Sequence, residues 1–198
     1  MKQVLVTYKI LLLSGFFLFS VNTWAAVIPI DLNDFFADPT VTVSTDGSSA
    51  FLEEDPGFFS VILSNDPGLG EPNVILPGAG VSLSFAYDFV DATGEGDEFG
   101  AFLIDADTGS SINGFEFFSG DSGAGTIEFD LSSLVGLTLG LEFQLNSLVN
   151  DIDFDSFARV SNVQLETQIP SVPEPSSLLL LFMSMVGFVM LNKNRMLF

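Results

Sequence analysis

Two stretches, VSLSFAYDF at residues 81–89 and LTLGLEFQL at residues 137–145, decide how this chain folds. In the first, Val81, Leu83, Phe85, Tyr87 and Phe89 alternate with Ser82, Ser84, Ala86 and Asp88. In the second, Leu137, Leu139, Leu141, Phe143 and Leu145 alternate with Thr138, Gly140, Glu142 and Gln144. Successive side chains of a strand point to opposite faces, so a period of two places every apolar residue on one side of a sheet. Further strands are expected over Val41–Thr45, Phe58–Leu63, Phe99–Asp105, Phe115–Phe118, Thr126–Leu131 and Phe157–Glu166. Turn formers separate them: Asp46-Gly47, Asp66-Pro67-Gly68, Pro77-Gly78, Thr93-Gly94, Asn113-Gly114 and Ser122-Gly123. A short helical turn is expected only around Leu32–Phe36. Eight or so strands with one apolar face each predict an all-β protein, a β-sandwich of jelly-roll type.

Both ends differ from this pattern. Residues 1–25 begin with Lys2 and Lys9, continue as an apolar run from Ile10 to Val21, and end Thr23-Trp24-Ala25. Small residues at 23 and 25 around a bulky one suit signal peptidase, so cleavage is expected after Ala25, with Ala26 as the neighbouring alternative. The other reading is an uncleaved N-terminal anchor, for which the run is short. At the far end, Leu178 to Leu191 forms an uncharged apolar run that would reach about 21 Å as a helix. That is shorter than a hydrocarbon core of about 30 Å. Lys193 and Arg195 follow at once, and basic side chains on the cytoplasmic side extend a short span by snorkelling. A single C-terminal transmembrane helix is therefore expected over 177–192. The domain plan is a signal peptide at 1–25, a sandwich at 26–168 and a tail at 169–198.

The order Val172-Pro173-Glu174-Pro175, apolar helix, then the basic end at 193–195 resembles the PEP-CTERM protein-sorting signal. The resemblance covers the last 27 residues or so. It implies a bacterial surface or exopolysaccharide-matrix protein whose tail is processed near the motif by an exosortase, a membrane transpeptidase-like enzyme. This tail ends in Lys193-Asn194-Arg195 where the family has a denser arginine cluster. The physical reading is parallel: prolines flanking Glu174 keep the backbone extended and open to a protease. A proline-capped linker before a permanent anchor is the alternative. The body is also similar in outline to the β-rich ectodomains that precede such tails and to carbohydrate-binding jelly rolls.

Charge and composition narrow the function. The chain carries 26 acidic and five basic residues, a net charge of -21. Every acidic residue except Glu174 lies in the body, against one basic residue there, Arg159. Such a surface repels nucleic acid and anionic headgroups. There is no cysteine and no histidine, and the body lacks lysine. Disulfides, thiol nucleophiles, His-based general bases, Schiff-base chemistry and ordinary zinc sites are thereby removed. Carboxylate pairs of the glycosidase kind remain formally available, as Asp97-Glu98 or Asp105/Asp107. In so acidic a chain such pairs arise by chance, and no enzyme activity is expected.

Calcium is a candidate cofactor. Asp151, Asp153 and Asp155 stand at alternate positions before the last strand and supply hard oxygen ligands at the spacing of the first half of an EF-hand loop. Ser156 then occupies the glycine position and Asn162 that of the bidentate glutamate, so the motif is incomplete. Acidic loops at 91–98 and 105–107 are the other candidates, and a solvated acidic loop is the plain alternative for each. For a sugar platform, Trp24 leaves with the signal peptide, and Tyr87 shares the parity of the core. Phe58-Phe59 and Phe117-Phe118 are consecutive, so each pair should send one ring to each face of its strand. The sequence thus leaves two main readings: a structural or interaction protein of the cell surface, or a carbohydrate-binding module acting through phenylalanine or calcium. A hydrolase is a distant third.

Overall fold

The computed structural model describes residues 26–69, 74–92, 96–147 and 154–167, all within one compact unit, Ala25–Gln168. The expected signal peptide, the sorting motif Val172–Pro175 and the transmembrane helix at 177–192 lie outside the described residues. Eleven strands run through the described part: β1 (Ala26–Pro29), β2 (Phe36–Ala37), β3 (Val41–Val43), β4 (Ser49–Glu53), β5 (Ser60–Ser64), β6 (Val81–Val90), β7 (Glu98–Asp105), β8 (Ser110–Ser119), β9 (Gly123–Asp130), β10 (Leu139–Asn146) and β11 (Phe157–Thr167). The expected helical turn is a single 3₁₀ turn at Leu32–Asp34, where the Asp31 carboxylate caps the start by accepting from the Asn33 amide.

Two antiparallel sheets form. One has the order β3-β4-β11-β6-β9, with β1 also paired to β11; the other has the order β2-β5-β10-β7-β8. From β4 onward the chain passes to the other sheet at every step except the β7–β8 hairpin, giving β4-β11-β6-β9 over β5-β10-β7-β8. That strand order is a jelly roll. The two stretches with the clearest alternation become the interior strands β6 and β10, each bonded on both sides.

The inner faces carry the core. Leu83, Phe85, Phe89, Phe99, Leu103, Leu139, Leu141, Phe143 and Leu145 are fully buried. Rings join the sheets: Phe85 meets Phe143 edge-on at 5.1 Å, and Phe99 stacks on Phe143 at 6.4 Å. Tyr87 packs on Phe117 at 4.8 Å and on Phe99 at 5.8 Å, at the core side of its strand as its parity requires.

Several boundaries differ from the sequence reading. Leu137 lies before β10 and is exposed. β8 begins at Ser110 and runs through Asn113-Gly114, where a turn is expected; Gly114 takes the strand through φ +85. β5 begins at Ser60, because Phe58 amide donates to the Asp55 carbonyl and the Asp55 carboxylate accepts from Gly57, closing a tight turn first. Phe58 and Phe59 therefore do not split between two faces. Both are exposed, at 64% and 65%.

Candidate functional site

The outer face of the five-stranded sheet is where side chains of chemical interest collect. The residues alternating with the core set point outward, and the strand register assembles them into rows. One row runs Phe36, Ser64, Glu142, Phe102, Glu116 across β2, β5, β10, β7 and β8. The next runs Ile62, Gln144, Gly100, Phe118. A third places Ser60, Asn146 and Glu98 side by side.

Phe117 and Phe118 divide as strand geometry demands: Phe117 packs on the core and Phe118 is half exposed on the outer face. The Phe118 ring lies across Gly100, where an added Cβ would stand 3.0 Å from it. Any side chain at 100 would push the ring off the sheet. The ring lies 6.5 Å from that of Phe102, tilted by 30°. The two form a shallow aromatic platform. Gly140 bounds the face at one end, because the Asp66 backbone passes over it and leaves only 3.1 Å for a Cβ.

Beside the platform lies Glu142, only 7% exposed. Gln144 Nε2 donates to Glu142 Oε1 at 2.6 Å, and the Ser64 hydroxyl also bonds the carboxylate. Burial pushes the Glu142 carboxyl above its usual range; these two hydrogen bonds pull it down, and the nearby Asp66 and Asp38 push it up again. Asp38 itself is spent on the sheet edge, accepting from the Ile62 amide at 2.8 Å. The outward parity of Glu142 is readable from its place among the leucines of β10. Its burial is not, since that depends on β5, β7 and the 66–69 segment.

The acidic clusters fare differently. Asp155 is exposed, and Asp151 and Asp153 lie outside the described residues. Asp97 and Glu98 diverge: Asp97 is buried and accepts from Ser156 Oγ at 2.7 Å, whereas Glu98 faces outward on β7. The Ser156 amide in turn donates to Glu54 Oε2 at 2.8 Å. Ser156 thus ties two buried carboxylates from distant strands, a join the sequence does not announce. Asp105 caps its own turn by accepting from the Asp107 amide at 2.9 Å. Among the described residues no group of three acidic side chains is placed to hold a metal ion. A cleft of about 240 Å³ beside Ile30, Phe35, Ile75 and Leu165 is smaller than typical ligand pockets.

The fold and this face define a jelly-roll sandwich with an open aromatic and carboxylate surface on one sheet. No protein-family model matches the chain, and no curated protein matches it. Solved structures overlap it in part. A CBM61 module in complex with beta-1,4-galactotriose has 11% identity and a TM-score of 0.39, over 71% of this chain and 86% of that one. The CBM22 tandem domain of Xyn10C from Paenibacillus barcinonensis has 12% identity and a TM-score of 0.44, over 76% and 51%. The glycoside hydrolase domain of Endo-D from Streptococcus pneumoniae R6 has 14% and 0.40, over 76% and 22%. The fold assignment rests on the strand order above and not on these overlaps.

Proposed function

We propose that this chain is an exported, non-catalytic carbohydrate-binding protein of the cell surface or exopolysaccharide matrix, holding glycan on the outer face of the five-stranded sheet. The observation that carries the reading is the Phe102–Phe118 platform flanked by outward polar groups. The C–H face of a pyranose packs on an exposed ring, while amide and carboxylate oxygens orient its hydroxyls. This favours the carbohydrate-binding reading over a purely structural role. Delivery follows from the tail: signal peptidase releases residues 26 onward, the helix at 177–192 holds the chain in the membrane, and an exosortase processes it near Val172-Pro173-Glu174-Pro175, with Lys193 and Arg195 kept inside.

A glycan array and affinity electrophoresis of the full-length protein, run with and without calcium, test the binding. Retardation by at least one polysaccharide is expected, weakened about tenfold by Phe118→Ala, which is about 1.4 kcal/mol. Binding unaffected by both Phe118→Ala and Phe102→Ala would remove the site. For delivery, Glu174→Ala and Pro175→Ala should leave the tail attached, read by intact mass; normal release of both variants rejects the sorting reading.

A further inference from the structure

Both outer faces of the sandwich are acidic, and only one of them carries a cation. The single basic residue of the body, Arg159, stands on β11 in the six-stranded sheet, opposite Asp88 on β6 and Phe51 on β4. Its guanidinium sits 5.8 Å above the Phe51 ring. The outer face of the five-stranded sheet carries Glu98, Glu116 and Glu142, with Asp38 and Asp66 at its margin, and no residue of the body is left to neutralise them.

Resting on the glycan-binding reading above, we propose that this face selects glycans bearing free amino groups, such as de-N-acetylated hexosamine polymers, over uncharged and uronic-acid glycans. Glu142 and Glu116 bracket Phe102 in one row, two strand spacings or about 10 Å apart. A ring stacked on Phe102 and Phe118 therefore has the exposed Glu116 carboxylate on one side and the negative field of the buried Glu142 on the other. Burial without a neighbouring cation holds Glu142 in an unfavourable charged state, and a ligand ammonium arriving beside it offsets that cost. A charge-assisted N–H to carboxylate bond is also stronger than the hydroxyl contact that an uncharged sugar offers. Conversely, uronate carboxylates meet a face of like charge and are repelled.

The full-length protein is titrated with four hexamers: β-1,4-linked glucosamine, its N-acetylated form, a neutral β-1,4-glucan and an oligogalacturonate. The glucosamine hexamer is expected to bind at least tenfold tighter than the N-acetylated one, with no binding of the uronate. That gap narrows between 0.05 and 0.5 M salt, as expected for charges near a surface (about 14 to 4 Å of screening length). The double substitution Glu116→Gln and Glu142→Gln should remove the gap, so that amino, N-acetylated and neutral hexamers bind alike, whatever it does to the affinity they share. Equal binding of amino and N-acetylated hexamers, or a gap that survives the double substitution, overturns the selectivity and leaves the glycan-binding reading standing. Preference for the uronate does the same. No binding of any glycan overturns both.

Discussion

The two outer faces of this sandwich are built over one shared core but handle their aromatic rings in opposite ways. On the six-stranded sheet, Phe51 and Phe157 lie 5.1 Å apart and Arg159 covers Phe51, with Glu53, Asp88, Glu128 and Glu166 on the surface around them. On the five-stranded sheet, Phe118 lies exposed beside the partly buried Phe102, and their neighbours are carboxylates and amides without a cation. One face has a cation over its ring pair; the other has none. The difference teaches that in a chain this acidic, the placement of one arginine is informative about the side it leaves bare.

The largest effect should come from neither face but from the core both depend on. Phe143→Ala removes the ring that meets Phe85 and Phe99, and should cost about 3–5 kcal/mol in urea unfolding. Phe118→Ala should change stability by about 0.5 kcal/mol or less, while weakening glycan binding as stated above. If instead it cost as much as Phe143→Ala, the open face would be part of the core and the contrast would collapse.

Glu142→Gln sharpens the contrast through pH. The fold raises the Glu142 carboxyl above the ordinary 4.5, chiefly by burial, so folding disfavours its charged form relative to the unfolded chain. Its contribution to stability is present below 4.5 and is lost as pH rises through the higher folded value. Glutamine cannot ionise and keeps that contribution. The variant should therefore unfold at higher denaturant than wild type at pH 7, and the two curves should converge below pH 4.5. A difference independent of pH would mean that packing, not charge, sets the Glu142 environment.

The smallest effect belongs to the other face. Arg159→Met removes the cation over Phe51 and should cost about 0.5 kcal/mol, with glycan binding unchanged. Loss of binding in that variant would move the site to the six-stranded sheet.

Much of the sandwich is legible in the sequence because its long strands alternate over most of their length: β6, β7, β10 and β11 appear almost at their observed bounds. The strands that escape notice are β1, β2 and β4. β2 is two residues long, β1 is Ala-Val-Ile-Pro at the start of the body, and Ser-Ala-Phe-Leu-Glu in β4 offers too few alternations to count. These short segments are held by partners, and partners are long-range information. The candidate site divides along the same line. Phe118 facing outward follows from parity alone, but its meeting with Phe102 over Gly100 requires the β7–β8 pairing and the register shift between Phe102 and Ile104. Phe58 and Phe59 fail the parity rule because the Asp55 turn takes them out of the strand before the alternation begins.

The position of β11 has a mechanical consequence. It is an eleven-residue strand bonded to β4 and β1 on one side and to β6 on the other. A pull on the chain at Thr167 loads those hydrogen bonds along the strand axis. They must then be broken together in shear and cannot be peeled one at a time. Tension that enters through the central strand of a sheet therefore meets the geometry that resists unfolding best.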